Sequence, residues 1–157
     1  MSAPVVGWYE KDDATVINAA NKLAFGNITA GATATPSAVG QSPLHLWNDK
    51  GGGAAATMTA VQVGFKNSSG GDTGEYIAGT TLNGNVPFFQ AKSYGSTGCA
   101  DDAQSGYTAV GGTTWLSVGN IPANACRWLY LQFVVPADAS NGLNLAGRPI
   151  VSYWYEA

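Results

Sequence analysis

The chain has 157 residues, enough for one domain and short for two. Only 11% of them are charged, against about 25% in an average soluble protein, and the formal net charge is −3. The basic residues (Lys11, Lys22, Lys50, Lys66, Lys92, Arg127 and Arg148) are dispersed, which argues against a nucleic-acid surface, because tracking phosphates takes clustered Lys and Arg.

The N-terminus, MSAPVVGWYEKDD, lacks the basic start and apolar stretch of a secretory signal, so cytoplasmic synthesis is expected. No apolar run approaches the roughly 20 residues that span a bilayer, so no membrane partner is expected. Residues 1–14 read as an extended arm. A strand is predicted at Thr15–Ile17, a turn at Asn18–Asn21 and a second strand at Lys22–Phe25. Val16, Ala19, Ala20 and Leu23 have helical spacing, but the β-branched and Asn residues among them weaken a helix.

Pro43–Trp47 reads as a strand with Leu44 and Leu46 on one face and His45 and Trp47 on the other. Gly51–Gly53 breaks the chain. Thr57–Lys66 alternates Val61, Val63 and Phe65 with Ala60, Gln62 and Gly64, the pattern of a half-buried strand. Asn67–Gly74 is a turn. Tyr76–Thr81 and Val86–Ala91 are shorter strands joined through the hairpin signal Asn83-Gly84. Ser93–Gly112 reads as a long irregular stretch, with periodicity only near Tyr107–Val110.

Trp115, Leu116 and Val118 open another strand, and Asn120–Ala125 turns the chain. Arg127–Val135 is the most apolar run. It places Leu129, Leu131, Phe133 and Val135 on one face and Trp128, Tyr130, Gln132 and Val134 on the other. Pro136 ends it. Ile150–Tyr155 is the last strand, with Tyr153 and Tyr155 on one face and Ile150 and Trp154 on the other. Short strands at this spacing, without βαβ alternation, give an all-β fold: an immunoglobulin-like antiparallel β-sandwich of about 7–9 strands in a single domain, 1–157.

Residue types that carry chemistry are sparse. His45 is the sole imidazole, and no Ser stands in a nucleophile motif, so His45 is expected to face solvent or a neighbour in a structural or interface role. One His and two distant cysteines lack zinc spacing. Cys99 and Cys126 are expected as reduced thiols. Asp12-Asp13 and Asp101-Asp102 lack the alternating oxygen ligands of a calcium loop and read as solvated carboxylates. Glu10, Glu75 and Glu156 do not suggest a glycosidase pair, and Gly51–Gly53 and Gly111-Gly112 lack the Lys-Ser/Thr ending of a phosphate loop. No enzyme, cofactor or metal is expected.

Aromatic residues are the surplus. A sheet in a sandwich needs one apolar face. The strands Arg127–Val135 and Ile150–Tyr155 carry aromatics on both faces, and Trp8 and Tyr9 add to them. Trp8, Tyr9, Trp128, Tyr130, Tyr153 and Tyr155 are therefore the candidate interface residues, since aromatics concentrate in protein contacts. Burial under the Ser93–Gly112 stretch or stacking on a sugar would also account for them.

Two stretches resemble known families. Leu23-Ala24-Phe25-Gly26-Asn27-Ile28-Thr29-Ala30-Gly31-Ala32-Thr33, followed by Leu44-His45-Leu46-Trp47-Asn48, looks like the opening hairpin of immunoglobulin-like domains. Gly119–Ala125, Arg127–Val135 and Pro136-Ala137-Asp138-Ala139 look like the penultimate-strand region of β-sandwich proteins in tailed-phage virions. The long Ser93–Gly112 insertion and the two cysteines depart from that pattern. The resemblance implies a virion structural protein made in the host cytoplasm, first of all a capsid decoration (cement) protein. Its partner would be the major capsid protein, and it would act as a homo-oligomer. A tail or baseplate component and a carbohydrate-binding adhesion module are the alternatives.

Overall fold

The computed structural model describes residues 1–67, 89–94, 106–111, 113–138 and 147–156. Among them the regular structure is β, with one short 3-10 turn at Val39–Gln41. The strands are β1 (Val6–Tyr9), β2 (Thr33–Ala34), β3 (Leu44–Asn48), β4 (Met58–Asn67), β5 (Phe89–Tyr94), β6 (Thr108–Ala109), β7 (Leu116–Ile121), β8 (Ala125–Val134) and β9 (Gly147–Trp154). They form two antiparallel sheets. The larger runs β1-β3-β8-β5-β6, with β2 joining β8 beyond the end of β3, and the smaller runs β7-β4-β9. The all-β sandwich expected from strand spacing is what the chain builds.

The core lies between the sheets and follows the alternation. Leu44 and Leu46 of β3, Ala91 of β5, and Leu129, Leu131 and Phe133 of β8 face Met58, Val61, Val63 and Phe65 of β4, with Val118 and Ile121 of β7. Each fully buried large aliphatic or aromatic side chain contributes about 1.5–3 kcal/mol. β8 is central because it is long enough to pair with β3 on one side and β5 on the other.

Two buried polar side chains join the layers at one end. Asn48 of β3 donates from Nδ2 to the carbonyls of Ala56 and Ile121, both at 2.9 Å, and its Oδ1 accepts from Val5 N–H at 3.3 Å. Arg127 of β8 points inward and donates to the Val118 and Asn120 carbonyls of β7 and to that of Cys126. Burial pulls the Arg127 guanidinium below its ordinary pKa.

Several elements differ from the sequence expectation. Val6–Tyr9, within the segment read as an arm, is β1 and pairs with β3. Thr15–Ile17 and Lys22–Phe25 are not strands: Val16 makes one isolated bridge to Tyr9, and Leu23 and Phe25 pack on the core without a ladder. A side chain replaces the missing ladder. Gln41 accepts from Ala24 N–H through Oε1 and donates through Nε2 to the Lys22 carbonyl. β7 runs on to Ile121, so the turn before β8 is shorter than expected, with Asn124 in the left-handed region at φ 53°. β5 extends past Ala91 to Tyr94, β6 lies inside the stretch read as irregular, and β9 begins at Gly147. Tyr76–Thr81, the Asn83-Gly84 hairpin, Cys99 and Asp101-Asp102 lie outside the described residues.

Candidate binding surfaces

The outer face of the larger sheet carries most of the surplus aromatics. Register sets Tyr9 of β1, His45 of β3 and Trp128 of β8 in one row across the strands. Gly7, Trp47 and Cys126 form the next row. The Tyr9 ring lies over Gly7, where a Cβ would meet the ring at 2.5 Å. Lys50 Nζ stands 5.1 Å from the Tyr9 ring centroid and 5.7 Å from that of Trp47. Farther along, Lys92 pairs with Tyr130 and sits 5.6 Å over its ring and 4.8 Å over Tyr107. Gln132 Nε2 donates to Gln90 Oε1 at 2.6 Å beside them. Tyr9, Trp47, Tyr107 and Tyr130 are all half-buried.

His45 does not face solvent: it is 1% exposed. The Asp12-Asp13 turn covers it. Asp12 folds that turn by accepting from the N–H groups of Ala14 and Thr15 and from the Thr15 hydroxyl. These bonds favour the charged carboxylate and pull Asp12 down to about 2. Asp13, at φ 56°, then reaches back to the sheet. Its Oδ1 accepts from Trp47 Nε1–H and lies 2.7 Å from His45 Nδ1. A carboxylate only accepts, so His45 Nδ1 carries the proton of this contact. The expectation of freely solvated carboxylates fails at Asp13 because the turn at Asp12 aims it at two N–H groups.

The imidazole stacks on Trp128, with ring centroids 4.8 Å apart and planes 7° from parallel. His45 Nε2 and Trp128 Nε1 are buried with no hydrogen-bond partner. An aspartate–histidine pair can activate a nucleophile only if Nε2 reaches one. Here Nε2 is buried and meets no such group among the described residues. Cys126, on the same face, is disulfide-bonded, which overturns the expectation of a reduced thiol there. The inference from compartment alone could not see that pairing.

The six candidate interface residues do not form one surface. Tyr9, Trp128 and Tyr130 share the outer face of the larger sheet. Trp8 points to the other side of β1 and packs on the core. Tyr153 belongs to the smaller sheet and also packs on the core, 6.3 Å from the ring of Tyr155, which is exposed. Trp47 and Tyr107 were missed as members of the larger-sheet face. Trp47 was legible from its alternation with Leu46, and Tyr107 only from long-range pairing.

Among the described residues no three His, Cys, Asp or Glu side chains come close enough to hold a metal ion, and no helix is long and apolar enough to cross a membrane. No family model, no curated protein and no solved structure matches the chain.

Proposed function

We propose that this chain is a non-enzymatic structural protein of a tailed-phage particle, an immunoglobulin-like capsid decoration protein that binds across subunits of the shell. The supporting observation is the outer face of the larger sheet. There Tyr9, Trp47, Tyr107 and Tyr130 remain half-exposed while Lys50 and Lys92 hold their rings in place. Rings fixed before contact lose little freedom on binding, so more of the buried area becomes affinity. The resemblance of Gly119–Val135 to virion β-sandwiches supplies the partner, the major capsid protein. Many symmetry-related copies would turn a modest contact into a strong clamp by avidity.

The test is binding to pre-formed shells of the encoding phage. A Tyr107→Ser/Tyr130→Ser double variant, with its fold checked by circular dichroism, loses binding on this reading. Trp128 is a poor probe because its truncation also strips the stack on His45. Wild-type binding by the double variant would remove this face from the proposal.

A further inference from the structure

The opposite side of the sandwich has a different character. On the outer face of the smaller sheet, Ser117 of β7, Gln62 of β4 and Ser152 of β9 stand in one row. All three are exposed, and their side chains have no hydrogen-bond partner among the described residues. An indole flanks this row at each end.

At one end is Trp154, 76% exposed, two residues beyond Ser152 on the same face of β9. Its backbone is fixed in place. Thr59 Oγ1 donates to the Trp154 carbonyl at 3.1 Å, just past a bulge in β4. Ala60 in that bulge is in the left-handed region at φ 49°, and its N–H donates to Asn120 Oδ1 at 3.0 Å. Bulges of this kind re-aim side chains, and backbone strain gathers where a surface is used.

At the other end is Trp115. Its ring lies on the outer side of Gly64, where a Cβ would come within 2.8 Å of ring carbon Cε3. Only glycine gives the indole this seat against the sheet. Lys66 stands 5.9 Å from the ring centroid. Gly64 pairs with Ile150, and Trp154 lies four residues farther along β9. At about 3.3 Å per residue the two seats are about 13 Å apart along the strands.

We propose that this strip is a glycan-binding platform that takes a neutral oligosaccharide lying along the strands, an inference independent of the capsid reading. The apolar faces of sugar rings stack on Trp154 and Trp115, and their hydroxyls exchange hydrogen bonds with Gln62, Ser117 and Ser152. Amide and hydroxyl side chains both donate and accept, as sugar hydroxyls do. The strip between the indoles carries no charge, so it complements a neutral chain rather than an acidic one. A flat, open face with anchors at both ends suits an extended ligand better than a compact one.

The test is affinity electrophoresis of the full chain through gels holding, in turn, hydroxyethyl cellulose, laminarin, glycogen and galactomannan. At least one retards the chain. Trp154→Ala and Gln62→Ala, both at exposed positions, weaken that retardation about ten-fold or more, the loss expected when an anchor is truncated. Tyr130→Ser, on the opposite face, leaves it intact. No retardation by any of the four, or wild-type retardation of Trp154→Ala, overturns the proposal. Self-association that Trp154→Ala abolishes, with no retardation in any gel, overturns it in favour of a second copy of the chain.

Discussion

Replacing Asn48 by Leu probes the polar seam that joins the two sheets. The side chain is fully buried, and leucine keeps its branched outline while removing every group that can hydrogen-bond. The carbonyls of Ala56 and Ile121 lose donors at 2.9 Å, and Val5 N–H loses an acceptor at 3.3 Å. A buried polar group left unsatisfied costs about 1–3 kcal/mol, so the three together cost about 3–7 kcal/mol, with the long Val5 bond at the bottom of its range. Burying the leucine returns about 1.5–3 kcal/mol. The net loss is about 1.5–4 kcal/mol. At a urea slope of about 2 kcal/mol per molar, the unfolding midpoint falls by about 1–2 M with an unchanged slope. Asn48→Asp falls further at neutral pH, because it sets a carboxylate against the same two carbonyls. A leucine variant within about 0.5 kcal/mol of the parent would refute the assignment of this seam to hydrogen bonding.

Other substitutions test the turns and the strain. The Asp12 carboxyl is expected to titrate by NMR near 2, and Thr15→Val to move it up toward the ordinary carboxylate range. The sign follows from the lowered value. The stability that Asp12 confers is complete above the ordinary range and is lost as the pH falls from there through about 2; an ordinary midpoint in the parent chain would contradict this. Ala60→Gly relieves a left-handed alanine, a cost of about 1–2 kcal/mol, against about 0.5–1 kcal/mol of added chain entropy. Calorimetry should show Tm higher by about 1–2 °C, and a lower Tm would mean that the bulge is not strained. Asp13→Ala removes the acceptor of the His45 and Trp47 N–H groups and should cost about 1–3 kcal/mol, with a changed near-ultraviolet circular dichroism band from the tryptophans. An unchanged band would mean that the turn does not hold the rings.

The strands with unbroken alternation were legible. Val61, Val63 and Phe65 in β4 and Leu129, Leu131 and Phe133 in β8 face the core as their spacing requires. Period-two patterning reports which face is buried, and these strands are long enough to show it. β1 was obscured by Gly7, whose outer side is filled by Tyr9 rather than by a side chain of its own. Leu23 and Phe25 had apolar spacing without a strand, because Gln41, distant in sequence, holds their backbone. The candidate surfaces were half legible. Alternation placed Trp128 and Tyr130 outward, but the burial of His45 depends on Asp13, 32 positions away. The seating of Trp115, just before β7, on Gly64 of β4 likewise joins residues distant in sequence, beyond the reach of any local pattern.

The capsid proposal is tested most directly by quantitative mass spectrometry of gradient-purified particles of the encoding phage. The account predicts the chain in a fixed copy number per shell, matched to the symmetry of the capsid lattice, and retained through repeated banding. Its absence from banded particles, with abundant chain left free in the lysate, would contradict the account.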